Sequence, residues 1–147
     1  MDVDGIRELV VSGLASPLEW TDETTRQFGL AIEASAALAR IYHENGFAVA
    51  IEGAIDPLAI ERALEYEDID RAMVGVVLRP RLDVALQRNS QRQSKPFDTS
   101  VLEKVMRRID ADVARDALRE GWVEIDNSDV DVAATVQRIL ALPPQRS

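Results

Sequence analysis

The sequence predicts an α/β fold, a three-layer sandwich built around a short parallel sheet. Three observations carry that expectation. FAVAIEG, residues 47 to 53, is a nearly continuous apolar run that suits a strand buried on both faces, and AMVGVVL, residues 72 to 78, and WVEID, residues 122 to 126, are two further short strand candidates. Stretches of helical periodicity separate them, which implies right-handed crossovers and helices on both faces of the sheet. The strand candidates end on polar residues, Glu52, Arg79 and Asp126-Asn127-Ser128, at the carboxyl ends where ligands bind in such sheets.

Taken in order, DGIRELVVSG reads as a short helix closed by Gly13. ASPLEW then offers Ser16 as a cap, Pro17 at a first helical position and Glu19 three residues after the cap. From about Asp22 to Asn45 the pattern is helical, with Phe28, Ile32, Leu38, Ile41 and Tyr42 on the apolar side and Gly46 as the stop. Asp56-Pro57 restarts a helix that runs to about Tyr66, and Pro80 closes the second strand. Residues 81 to 93 read as a helix and QSKPFD as a loop. Ser100 and Glu103 form a capping-box pattern that opens a long helix to about Glu120, where Gly121 stops it. After the third strand, NSD is a turn and Val132 to Leu142 a final amphipathic helix before Pro143-Pro144.

With 147 residues and 46% apolar residues, the chain fits one domain spanning 1–147. Seventeen Lys and Arg against 26 Asp and Glu give a formal net charge of -9, which repels a polyanion except at local basic patches and disfavours general nucleic-acid binding. The chain has no cysteine, so disulfides and thiolate zinc sites are excluded and a reducing cytoplasm is the default compartment. MDVDGIRELV carries acids where a signal peptide needs bases, and no apolar run approaches the roughly 20 residues that span a bilayer. The expectation is a cytoplasmic protein with neither nucleic acid nor membrane as partner.

Against that acidic background, RPRLDVALQRNSQRQSKPFD, residues 79 to 98, gathers Arg79, Arg81, Arg88, Arg92 and Lys95 against only Asp83 and Asp98. Spacings of seven and four put Arg81, Arg88 and Arg92 on one helix face while Leu82 and Leu86 point elsewhere. That face suits either solvent or a bound anion. Glu52, a carboxylate ending an apolar strand, needs a partner or a metal. Asp2 and Asp4 cap the first helix or serve a site. His43 fits stabilisation of a helix C-terminus, and Trp20 and Trp122 fit packing roles.

DVDGIR, GFAVAIEGAIDP, VVLRPRLDVALQRNSQR followed by KPFD, and EIDNSDVDVAATVQRIL together resemble the small P-loop kinases and phosphotransferases related to gluconate, shikimate and chloramphenicol kinases. The resemblance covers nearly the whole chain. It implies ATP and Mg2+ as cofactors, a sheet of strand order 2-3-1-4-5, and a phosphate-covering lid at about 79–98. On that resemblance Arg88 and Arg92 reach nucleotide phosphates, Arg79 lies near them, and Asn127 and Ser128 lie beside the nucleotide. Glu52 helps to hold magnesium, directly or through water. Asp4 orients or deprotonates the accepting hydroxyl, with Asp2 and Arg7 as substrate contacts.

One departure limits what the resemblance implies. G-x-x-x-x-G-K-[ST] occurs nowhere in the sequence. The expectation is an N-terminally truncated P-loop NTPase-like fold that lacks the first strand and the phosphate-cradling loop, and hence weak or no phosphoryl transfer to the hydroxyl of a small molecule. The alternative is a non-catalytic domain with residual nucleotide or phosphate affinity, forming a homo-oligomer that covers the exposed strands. Gluconate-like, aminoglycoside-like and nucleoside-like acceptors all remain open.

Overall fold

The 23-residue helix α2, Asp22–Glu44, organises the first half of the chain in this computed structural model. The structure describes residues 1–54, 56–70, 73–92, 99–115 and 121–143. They fall into two compact units, Met1–Met73 and Val74–Ser147.

In the first unit, α2 starts where Thr21 and Thr24 form a reciprocal capping box and Asp22 and Glu23 place acids in the first turn. It stops at Asn45, with Gly46 taking φ +83°, the left-handed turn that the glycine was expected to supply. Its buried stripe is Thr24, Gln27, Ala31, Ile32, Ser35, Ala36 and Ala39, mostly small residues that let neighbouring helices approach closely. Helix α1, Val3–Arg7, packs on α2 and is capped by Asp2, whose carboxylate accepts from the Asp4 N–H at 3.0 Å. Helix α3, Pro57–Tyr66, also packs on α2; it has Asp56 as its cap and Pro57 in its first turn, and buries Ile60 and Leu64 one turn apart. An Arg40–Glu67 ion pair at 2.7 Å fastens the end of α3 to α2.

Two expectations fail in this unit. No helix forms at Ser16-Pro17: the Ser16 hydroxyl accepts from the Leu18 N–H at 3.2 Å in a local turn, and the strong cap at Thr21 starts the next helix before another can run. Residues 47 to 53 are not a strand buried on both faces. Phe47 is 61% exposed, and among the described residues the run's only pairing is a parallel bridge between Asp2 and Glu52. There the Glu52 N–H donates to the Met1 carbonyl at 2.8 Å, the Val3 N–H donates to the Glu52 carbonyl at 3.0 Å, and the Met1 amino group donates to the Ala50 carbonyl. With pairing on one side only, the run does not enter a sheet.

In the second unit, β1, Val76–Leu78, and β2, Val123–Ile125, form a two-stranded parallel sheet in the register Val76–Val123 and Leu78–Ile125. The Val123 N–H donates to the Gly75 carbonyl and the Arg79 N–H to the Ile125 carbonyl, each at 3.0 Å, extending the ladder at both ends. A cross-linking helix α4, Leu82–Ser90, is followed by a 3-10 turn, Thr99–Leu102, that leads into α5, Glu103–Arg115, and both pack on α4. Helix α6, Val132–Leu140, begins at Asp131, whose carboxylate accepts from the Ala134 N–H at 2.7 Å. Ile125 is the buried apolar centre among the described residues of this unit.

The expected α/β class and parallel pairing are present, but the sheet has two strands where three were expected, because residues 47 to 53 pair with the N-terminal residues instead. Helix α4 is shorter than the expected 81 to 93: Arg81 precedes it and Arg92 follows it. The loop QSKPFD and the expected helix end at Glu120 lie outside the described residues. Among those described, no helix is long and apolar enough to cross a membrane.

Candidate functional site

At the carboxyl ends of β1 and β2 an open cleft of about 240 Å³ is lined by Arg79, Pro80, Arg81, Asp110, Glu124 and Asp126. Its position follows from the fold: a parallel pair sends both chains out of the sheet at the same end, and Pro80 turns the first of them into α4. The structure brings together four of the expected residues here, Arg79, Arg88, Asn127 and Ser128.

Their guanidinium groups are already engaged. Arg79 reaches Asp110 on α5 and Glu124 on β2, each at 3.4 Å. Arg81 grips Asp129 with both terminal nitrogens, at 2.7 and 3.1 Å. Arg88 donates to the carbonyl oxygens of Asn127 and Ser128 at 2.8 and 3.2 Å, so it closes the turn after β2. The Ser128 hydroxyl accepts from the Arg81 N–H at 2.7 Å and donates to Asp126 at 2.5 Å. Arg92 sits beyond the end of α4, where its N–H donates to the Asn89 carbonyl at 3.1 Å and its side chain has no ion-pair partner among the described residues. Arg81 lies outside the helix, so it shares no helical face with Arg88 as the spacing suggested.

The electrostatics follow from these contacts. The Ser128 hydroxyl and N–H hold the Asp126 carboxyl below its usual range. The hydrogen-bonded Arg81 guanidinium does the same for Asp129 and is itself held more firmly protonated. Two guanidinium groups and three carboxylates line the cleft, and an incoming anion has to compete with Asp110 and Glu124 for Arg79 and with Asp129 for Arg81. The sequence reading missed Asp110, Glu124 and Asp129 as partners, because neither α5 nor the turn carries a spacing that points to the arginines.

A different environment surrounds the expected site residues of the first unit. Asp2 is spent as the α1 cap and its backbone pairs with Glu52. Asp4 stands in the first turn of α1. The Glu52 carboxylate has no ion-pair partner among the described residues, and among them no group of three His, Cys, Asp or Glu side chains is placed to hold a metal. Glu52 alone would offer magnesium one carboxylate, fewer ligands than a metal site requires without phosphate and water.

Arg7 is only 5% exposed. Its Nη1 donates to the Ala15 carbonyl at 2.8 Å, and its guanidinium carbon lies 4.7 Å from the centre of the Phe28 ring. Phe28 in turn stacks on Trp20, with centroids 5.2 Å apart and planes 10° from parallel. No carboxylate pairs with Arg7 among the described residues, and its enclosed Nε has no hydrogen-bond partner. A cation–π contact returns about 0.5–2 kcal/mol, whereas withdrawing an unpaired charge from water costs several kcal/mol. At Arg7 the enclosed Nε is the guanidinium atom that goes without an acceptor.

No protein-family model, curated protein or solved structure matches this chain.

Proposed function

We propose that the chain is a P-loop kinase-like protein whose ancestral chemistry is ATP-dependent phosphoryl transfer to a hydroxyl of a small molecule, and that it is a weak catalyst on its own. The observation that carries this reading is the presence of one parallel pairing within each unit. One joins residues 1 to 3 with 50 to 52; the other joins β1 with β2 and has basic residues and the Asp126–Ser128 turn at its carboxyl end. Those pairings match the two adjacencies, second strand to third and fourth strand to fifth, that the resemblance implies.

In this reading Arg88 and Arg92, with Arg79, stabilise phosphate charge, and Asn127 and Ser128 line the nucleotide side. Asp4 serves as the base that takes the proton of the accepting hydroxyl. Glu52 contributes a single carboxylate toward magnesium, which when bound would neutralise phosphate charge. The 147 residues hold no glycine-rich phosphate loop with its lysine, so the charge stabilisation that dominates phosphoryl transfer is largely missing from them.

A second reading is a non-catalytic binding domain with residual phosphate affinity. It is favoured by the carboxylates that already occupy Arg79 and Arg81. Calorimetric titration with magnesium and ATP, followed by an ATP-turnover assay, separates the two. Binding with slow turnover supports the kinase-like reading, and binding without turnover supports the second. No binding at millimolar nucleotide removes both.

A further inference from the structure

The geometry points to Arg7 as an oxyanion-binding residue, whose ligand carries a carboxylate or a phosphate rather than a positive charge. Arg7 is 5% exposed, and with Nη1 held by Ala15 the Nε–Nη2 edge of its guanidinium is left with no hydrogen-bond partner among the described residues. That edge offers two parallel N–H donors, the geometry that matches two oxygens of one carboxylate or phosphate. The residues around it supply no anion. Glu23 is engaged by Arg26 and Gln27, Gln27 also holds the Gly13 and Ala15 backbone, and Asp2 is the α1 cap.

Because Nε is enclosed, an oxyanion reaches this edge only with a shift of the Arg7 side chain or of the 8–20 loop above α2. That loop is fastened by few polar contacts, Ala15 and Gly13 to Gln27 and Ser16 to Thr24, and it exposes Leu9, Val11, Leu14 and Leu18. Trp20 ends the loop and stacks on the Phe28 ring that Arg7 also covers, so occupancy at Arg7 is coupled to an indole environment. That the bound oxyanion belongs to the phosphoryl acceptor rests on the proposed function; that Arg7 binds one does not. Of the gluconate-like, aminoglycoside-like and nucleoside-like acceptors left open by the sequence, the gluconate-like class fits this site, and a polycationic aminoglycoside does not.

The full chain is titrated with inorganic phosphate, gluconate and the aminoglycoside kanamycin, with sodium chloride at matched ionic strength as the control. Tryptophan fluorescence and the NMR signal of the Arg7 Nε–H are followed. Phosphate or gluconate is expected to move both signals saturably, the stronger of the two identifying the ligand's anionic group, while kanamycin and chloride leave them in place. Arg7→Met and Arg7→Lys are expected to weaken the response at least about tenfold, the loss typical of one charge-assisted bidentate contact. Arg62→Gln, which removes an exposed arginine of α3 outside both proposed sites, is expected to leave it unchanged. The Nε–H signal is read in the parent chain, so the outcome does not depend on how well the variants fold. An Arg7 Nε–H that never moves, a response that follows ionic strength, or a response kept in Arg7→Met overturns the assignment.

Discussion

Gly75 is the position where one added methyl group should do the most measurable damage to the two-stranded sheet that carries the candidate cleft. It is buried at the start of β1, and a Cβ built there would lie 2.5, 2.7 and 2.9 Å from Cδ2, Cε2 and Cγ of Trp122. Ordinary van der Waals contact needs about 3.4 Å or more, so the indole has to retreat by about 1 Å at the residue that leads into β2. The adjacent Val123 N–H to Gly75 carbonyl bond, 3.0 Å long, resists that movement. Overpacking of this kind costs roughly 1–3 kcal/mol, and the entropy advantage of Ala over Gly in the unfolded chain returns about 0.4–1 kcal/mol. Gly75→Ala is therefore expected to destabilise by about 1–2 kcal/mol, measured as a lower denaturation midpoint at unchanged slope and followed by tryptophan fluorescence. Gly75→Ala/Trp122→Leu, which makes room for the methyl group, should recover part of the loss. A Gly75→Ala chain as stable as the parent would refute the reasoning that the Trp122 indole leaves no room for a side chain at Gly75.

Two further outcomes follow from the packing and the charges. Leu64 is 6% exposed between α3 and its neighbours, so Leu64→Ala should cost about 2–5 kcal/mol in the same assay; a loss below 1 kcal/mol would show the first unit to be loosely packed. Carboxyl NMR titration should place Glu23 at about 2, through its hydrogen bonds from Arg26 and then Gln27, and should place Asp129 below its ordinary value. Both are depressed in the folded chain, so their stabilisation is complete above the ordinary carboxylate values and is lost as pH falls through the folded ones. Arg81→Gln should return Asp129 toward its ordinary carboxylate value with little change in stability, because the pair is exposed.

The helices were legible in the sequence wherever a cap and an apolar period agreed. Thr21, Asp22 and Gly46 frame α2, Asp56-Pro57 starts α3, and the residues around Asp131 start α6. The strands β1 and β2 were legible as apolar runs between turn signals. The same signal misled at residues 47 to 53, where an apolar composition says nothing about which partner strands stand on either side. Ser16-Pro17 looked like a helix start, but a cap signal has no force when a better one follows five residues later.

Of the candidate cleft, the strand ends and the arginines could be read from the sequence, and their counterions could not. Asp110 meets Arg79 from 31 residues away and Asp129 meets Arg81 from 48, separations at which no local spacing rule operates. The isolation of Arg7 was equally invisible. It depends on what the 8–20 loop does not place beside the guanidinium, and DVDGIR by itself carries only the suggestion of a substrate contact.

The central claim, that the arginines after β1 stabilise nucleotide phosphates, is tested most directly by calorimetry of the 147-residue chain with magnesium and ATP, compared with Arg88→Gln/Arg92→Gln. The account predicts weak saturable binding in the parent chain that falls about 10- to 100-fold in the double variant, the loss expected for one or two charge-assisted hydrogen bonds to phosphate. Equal affinity in the two chains, or no heat of binding at millimolar ATP, would contradict it.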